Sequence, residues 1–250
     1  MPETFLILLC GGVMLASAIP KPRDVTLQWL RLCGIIAITM LALSAFFSFR
    51  RETGIGRNLA YAYILNAIGV AFQLAMVQTN QPAAGRVCAI LSFLSSLAIG
   101  VALLGRPMNV PVAAAIVGCA SVAAMCGMAL MEMLLGHAYL TAAKMTIAPF
   151  RRMNLVFAGV LMLRMFFGIC AMLMEQRWPI ELFWTRQAFL VGVRWLAGLL
   201  APAVFVYMTH DCIKRRSTQS ATGILYVTGV LIFIGEMIAL YITRETGLPF

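Results

Sequence analysis

Long apolar segments constrain this chain more than any other feature. An α-helix needs about 20 apolar residues to cross the hydrocarbon core of a bilayer, and most of the apolar segments here are about that long. Short connections marked by Pro, Gly and Asn separate them. The eight candidate membrane spans are residues 5–19, 29–49, 58–78, 87–105, 111–136, 154–174, 187–208 and 221–243.

The composition agrees with a membrane environment. The 250 residues are 62% hydrophobic and only 11% charged, whereas about a quarter of the residues in soluble domains are charged. Because lipid offers no hydrogen bonds to the backbone, apolar spans of this length must be helical. We therefore predict an all-α, integral membrane bundle of about eight transmembrane helices with short loops, forming a single domain over residues 1–250.

The first apolar segment, residues 5–19, is short for a membrane span, and Gly11 and Gly12 interrupt it. It lacks the positively charged start of a secretory signal peptide. We therefore expect an uncleaved first helix that is tilted or partly interfacial.

The chain is basic, with 19 Lys and Arg against 9 Asp and Glu. The basic residues lie mostly in the connections, where anionic lipid head groups attract them. We therefore expect membrane lipids and other membrane-protein subunits as partners, and no nucleic acid. The seven cysteines include no C-x-x-C pair, so we expect no metal site.

The distribution of Lys and Arg among the loops predicts the orientation. The loops that follow the odd-numbered spans hold slightly more basic residues than the loops on the opposite side, and cytoplasmic loops carry the excess of positive charge. We therefore expect both termini on the outer side of the membrane. We expect that membrane to be a bacterial inner (cytoplasmic) membrane.

Four polar residues lie at similar depths inside the predicted spans: Asn66, Arg164, Arg194 and Glu236. Charged side chains in hydrocarbon are costly, so they normally face the bundle interior and pair with one another. We predict that Arg194 contacts Glu236 and that the four residues form a polar pocket for a quinone head group, an ion or a proton relay. The alternative interpretation is an ion pair that fixes helix packing.

Arg164 is predicted nearer the middle of the membrane, with no acid at its own depth. A proline at position 202 cannot donate a hydrogen bond to the carbonyl of Gly198. We expect that free carbonyl to help solvate Arg164 or Arg194.

The two histidines, His137 and His210, are predicted at the same membrane face. Haem iron accepts axial histidine ligands, so the pair are candidate ligands of a b-type haem. The alternative is that both are ordinary interfacial residues. On the helix that ends near His137, Glu132 is predicted within reach of Arg31, or of the basic residues in the loops, if their helices are neighbours.

A basic, hydroxyl-rich segment precedes the last span, and a helix N-terminus attracts anions. Its side chains are candidates to bind a lipid head group or a phosphate, although helix capping is an alternative use. The residues are Arg215, Arg216, Ser217, Thr218 and Gln219.

These features predict an integral membrane subunit of a multi-subunit electron-transfer complex, with a quinone or b-type haem as cofactor. The number of spans and the buried Arg–acid combination resemble the quinol-handling membrane anchors of redox complexes, at the level of fold only. The first alternative is a non-catalytic transmembrane scaffold or assembly subunit of a larger complex. The second is a small-solute secondary transporter, although no internal repeat is visible.

Overall fold

Helices make up nearly all of the described chain. The computed structural model describes residues 2–21, 24–50, 57–79, 81–105, 111–141, 146–174 and 186–250, and none of these residues lies in a strand. The helices are α1 (Pro2–Ser17), α2 (Leu27–Arg50), α3 (Arg57–Gln78), α4 (Pro82–Gly105), α5 (Val112–Thr141), α6 (Ala148–Met174), α7 (Arg186–Trp195), α8 (Ala201–Lys214) and α9 (Thr218–Thr246).

Within the described ranges, seven helical segments are long and apolar enough to cross a membrane, and α7 and α8 together form one of them. Their exposed surface is rich in large apolar side chains, as expected of helices that face lipid. The prediction of an all-α membrane bundle is confirmed. Adding the shorter α1 gives the eight helices that the sequence predicts.

Helix α1 lies at the centre of the bundle. It packs against α2, α4 and α5, and side chains along its whole length are fully buried, including Ile7, Cys10 and Met14. The expectation of a tilted or partly interfacial helix stays a prediction, because these contacts show what covers α1 and not its depth in the membrane. With 16 residues, α1 is about 24 Å long, which is shorter than the ~30 Å hydrocarbon core; surrounding helices cover it instead of lipid.

Two glycines allow α1 to approach α5 closely. A Cβ atom on Gly12 would overlap the backbone carbonyl of Ala123, and a Cβ atom on Gly127 would overlap the backbone of Gly12. Small residues at helix crossings let backbones come together, and membrane helices use such crossings widely. Gly12 therefore fixes the position of the central helix and does not merely interrupt it.

The remaining helices form two groups on either side of this central crossing. Helices α2, α3 and α4 pack in sequence beside α1, while α6, α7, α8 and α9 form the other group. Helix α5 contacts α1, α4, α6 and α9 and so joins the two groups. Most of the buried charge lies in the second group.

A π-helical turn, Leu196–Leu200, joins α7 to α8. The backbone N–H of Ala201 donates to the carbonyl of Leu196, which is the wider hydrogen-bond spacing of a π-helix. Pro202 follows directly and leaves the Gly198 carbonyl without its usual helical donor. This turn packs tightly on α9, because a Cβ on Gly198 would lie 2.7 Å from the Cα of Gly235.

Candidate functional site

Three charged residues from three helices meet inside the second group. Arg164 of α6 and Arg194 of α7 both contact Glu236 of α9, and their side chains are at most 1% exposed. The Arg164 Nη2–Glu236 Oε2 distance is 2.9 Å, and the Arg194 Nη2–Glu236 Oε1 distance is 2.8 Å. We call these three residues the charge triad.

The predicted contact between Arg194 and Glu236 is confirmed. The expectation that Arg164 has no acid at its depth is wrong, because Glu236 uses its second carboxylate oxygen for Arg164. Depth counted along helix axes neglects the length of the arginine side chain. A guanidinium several ångströms from its own Cα can reach an acid that starts one or two turns away along the membrane normal.

Arg164 uses all three of its guanidinium nitrogens. Its Nε lies 3.1 Å from Glu236 Oε2, and its Nη1 donates to Ser121 Oγ of α5 at 3.0 Å. Arg194 Nη1 donates to the carbonyl of Gly198 at 3.5 Å. The expectation that the carbonyl freed by Pro202 helps to solvate Arg194 is therefore confirmed.

The charge triad connects four elements and encloses its own charges. Two guanidinium groups and one carboxylate leave a formal charge of one positive unit, placed among buried side chains of α5, α6, α7 and α9. The contact of Arg194 Nη2 with Glu236 is an ion pair without hydrogen-bond alignment. Removing one partner of a buried ion pair leaves an uncompensated charge and is strongly destabilising, so the packing of these helices depends on the charge triad.

Asn66 does not join the charge triad. It lies on α3, is 1% exposed, and donates from Nδ2 to Ser96 Oγ of α4 at 2.7 Å. Ser96 in turn lies 3.9 Å from the sulfur of Cys10 on α1. The four residues predicted to form one pocket are therefore divided, with Asn66 in a neutral polar cluster of the first group.

A groove runs between α6 and α8, with a cavity volume of about 200 Å³. Asn154, which is 1% exposed, and His210, which is half-buried, lie at one end of it. Exposed side chains such as Met162 and Tyr207 border the groove, so it opens toward lipid. Its lining residues are Asn154, Leu155, Ala158, Leu161, Met162, Ala203, Val206, Tyr207 and His210.

A buried carboxyl lies behind the polar end of the groove. Glu132 of α5 is fully buried and its carboxyl adjoins the Asn154 side chain. Among the described residues, neither carboxyl oxygen of Glu132 has a hydrogen-bond partner, and neither does Asn154 Nδ2 or His210 Nδ1. The expected approach of Arg31 is not found, because Arg31 is exposed on α2.

No protein-family model, curated protein or solved structure matches this chain. We therefore infer its function from the chemistry of its own side chains. Within the described ranges, no group of three or more His, Cys, Asp or Glu side chains is placed to hold a metal ion.

The two histidines lie on different helices with different surroundings. His137 is exposed near the end of α5, whereas His210 lines the groove between α6 and α8. Helices α6 and α9 each pack against both α5 and α8. Ligation of a b-type haem by His137 and His210 stays a prediction.

The turn between α8 and α9 contains the predicted anion-binding residues. Arg215 pairs with Asp211 at 2.8 Å on the surface, and Arg216 has a left-handed backbone with φ of 59°. Ser217 lies at the N-cap of α9 but makes no side-chain cap hydrogen bond; its hydroxyl donates to Ser220 Oγ. The capping interpretation is therefore wrong for Ser217, and the anion site, including Thr218 and Gln219, stays a prediction.

Asn154 and Ser121 are not among the site residues that the sequence predicts. Asn154 was counted only as the first residue of a span, yet Asn154, Ala158 and Leu161 recur at the spacing of one helix face. A polar residue on a face with small apolar neighbours indicates a lined groove. Ser121 resembled an ordinary small packing residue, and nothing in the sequence distinguishes it.

Proposed function

We propose that this protein is an integral membrane subunit of an electron-transfer complex and that it binds the head group of a quinone in the groove between α6 and α8. The observation that carries this proposal is the groove itself, an apolar channel open to lipid whose buried end holds Asn154 and His210. Ligand sites are typically apolar cavities with a few convergent polar groups.

The size of the groove suits one substituted six-membered ring. Its volume is about 200 Å³, and an apolar cavity of about 150 Å³ binds benzene in a model protein. The rest of an isoprenoid tail can lie along the lipid-facing side, past Met162. A quinone dissolves in the bilayer and would enter from lipid, which accords with the exposed border of the groove.

The polar end of the groove matches the oxygens of a quinone. Each carbonyl oxygen accepts hydrogen bonds, and Asn154 Nδ2 is a buried donor without a partner among the described residues. His210 Nδ1 also has no partner there and can donate when it carries a proton. Buried polar groups gain most from a ligand that supplies the missing partner.

The proposal is tested by filling the groove with a bulky side chain. Ala158→Trp places an indole in the groove, while Gly159→Trp places the same group on the lipid-facing side of α6, where an added Cβ meets nothing within 4 Å. Both variants are reconstituted in nanodiscs, and the binding of a short-chain ubiquinone analogue is measured by isothermal titration calorimetry. We expect binding to be lost in Ala158→Trp and retained in Gly159→Trp; equal affinities in the two variants would refute the site.

A second candidate function is a transmembrane scaffold for a larger complex. The charge triad supports it, because its buried ion pairs connect α6, α7 and α9 and the hydrogen bond from Arg164 to Ser121 adds α5. Arg164→Lys keeps the charge but loses the planar fork that contacts both Glu236 and Ser121. If the scaffold function is correct, this variant weakens assembly with partner subunits in a pull-down from detergent and leaves quinone binding unchanged.

We also propose a bacterial inner membrane, with both termini on its outer face. Two contacts support a shared face for the termini. The Glu3 carbonyl accepts a hydrogen bond from Ser44 near the end of α2, and Pro249 lies beside Gly118 near the start of α5. Cysteines introduced at the exposed positions Pro2 and Glu245 test this: both should react with an impermeant maleimide from the same side.

A further inference from the structure

The groove adjoins a carboxyl that the electron-transfer proposal does not by itself explain. Glu132 is fully buried, in contrast to exposed acids such as Glu245. Glu236, the other fully buried glutamate of the described helices, faces two guanidinium groups. The polar side chain beside Glu132 is the neutral Asn154, and within the described ranges no cation pairs with Glu132. A buried carboxylate without a counter-charge is very costly, so such a group holds its proton instead.

The charged residues on the neighbouring helices do not change this conclusion. On α6, Arg151 and Arg152 are exposed, and Arg164 is engaged with Glu236 and Ser121. On α9, Glu236 belongs to the charge triad. On α1, Glu3 lies at the start of the helix, which is the end opposite to the connection with α2.

We propose that Glu132 is the proton donor for the quinone bound in the groove. This inference rests on the proposed function. The free oxygens of Glu132 and the free Nδ2 of Asn154 adjoin one another, and one bound water can bridge such groups because a buried water needs two to four polar partners. That water would connect the carboxylic acid to the end of the groove.

The proposed reaction is the reduction of the quinone to a quinol by two electrons and two protons. The quinone gains two electrons, one after the other, from a one-electron redox cofactor of a partner subunit, a haem or an iron–sulfur cluster that is re-reduced between the two transfers. Its two oxygens gain one proton from the carboxylic acid of Glu132, through the water, and one from the imidazolium of His210. The product is a quinol, a carboxylate and a neutral imidazole, and both protein groups then regain protons from the nearby aqueous phase. Asn154 acts as a positioning residue, because it orients the water and one quinone oxygen.

The inference is tested by infrared difference spectroscopy of the full chain in nanodiscs. Binding of a short-chain ubiquinone analogue should shift the carbonyl stretch of a protonated carboxylic acid. This signal should disappear in Glu132→Gln, move in frequency in Glu132→Asp, and persist in Glu245→Gln, the matched control with an exposed acid. In the assembled complex, Glu132→Gln should lower quinone reduction by about 10²-fold while the affinity for the analogue stays unchanged.

Each outcome separates this inference from the proposed function. If Ala158→Trp abolishes binding but the carbonyl signal survives in Glu132→Gln, the groove is correct and Glu132 is not the donor. If Ala158→Trp binds the analogue normally, the groove itself is wrong. If Glu132→Gln loses binding altogether, Glu132→Asp decides the matter: restored binding with no shifted carbonyl signal would overturn proton donation.

Discussion

Glu236→Gln should be among the most destabilising single changes in this protein. The carboxylate faces Arg164 at 2.9 Å and Arg194 at 2.8 Å, so the amide leaves two buried cations without a counter-charge. Breaking a buried pair by removal of one partner costs about 3–5 kcal/mol. Because one carboxylate serves two cations here, we expect a loss at the upper end of that range.

Removing one of the two cations, in Arg194→Met, should have a different effect on stability. Arg194→Met removes the cation that exceeds the available negative charge and leaves a neutral Arg164–Glu236 pair with its hydrogen bonds. The variant loses the 2.8 Å ion pair and the weak bond to Gly198, but it also removes the cost of burying one charge, which is several kcal/mol. We therefore expect its stability to equal or exceed that of the wild type.

The free energies of unfolding of Glu236→Gln and Arg194→Met are measured by reversible unfolding in mixed detergent micelles, followed by circular dichroism. Glu245→Gln serves as a control, because this acid is exposed near the end of α9. If Glu236→Gln unfolds at the wild-type detergent fraction, or if Arg194→Met costs as much as Glu236→Gln, charge balance does not govern the stability of the charge triad.

Three further changes test other parts of the fold in the same unfolding assay. Gly12→Ala should lower stability by about 1–3 kcal/mol or more through overpacking against α5. Gly223→Ala should be neutral, because an added Cβ there meets nothing within 4 Å. Equal effects of the two changes would contradict the tight crossing. Ser121→Ala removes the 3.0 Å hydrogen bond to Arg164 and should cost about 1.5–3 kcal/mol, and no loss would mean that Arg164 finds another acceptor. Arg216→Gly should stabilise by about 1 kcal/mol, because φ of 59° is unfavourable for a residue with a Cβ; a loss of stability would indicate that the Arg216 side chain makes a favourable contact.

The fold was predictable because hydrocarbon thickness sets the length of a membrane helix. The same rule says nothing about which helix lies inside the bundle. Lipid tails and apolar side chains are equally apolar, so the hydropathy of residues 5–19 does not distinguish a central helix from a peripheral one. The close approach of Gly12 to Gly127 decides the position of α1, and a pairing of glycines on distant segments is not visible in either segment alone.

The contacts within the candidate sites could be predicted only for residues whose depth in the membrane identifies their partner. Arg194 and Glu236 had to pair because each is costly alone and both lie at one level. The groove needed a further fact, the packing of α6 on α8, which no local pattern specifies. Asn154 is therefore not distinguishable from an ordinary helix residue in the sequence, and Glu132 is predicted beside Arg31 although its carboxyl adjoins Asn154.

The two fully buried glutamates of the described helices, Glu132 and Glu236, have different surroundings, and these suit one acid to a structural role and the other to a chemical one. Glu236 has two cations within 3 Å, and a proton on it would leave both cations without compensation. The fold therefore depends on Glu236 keeping its negative charge. Glu132 has a neutral amide beside it, so the acid form suits its burial and a transient loss of the proton breaks no ion pair. A residue that can change its protonation state without dismantling the helix packing is the one suited to supply a proton to a ligand, and Glu132 adjoins the groove where that ligand would bind.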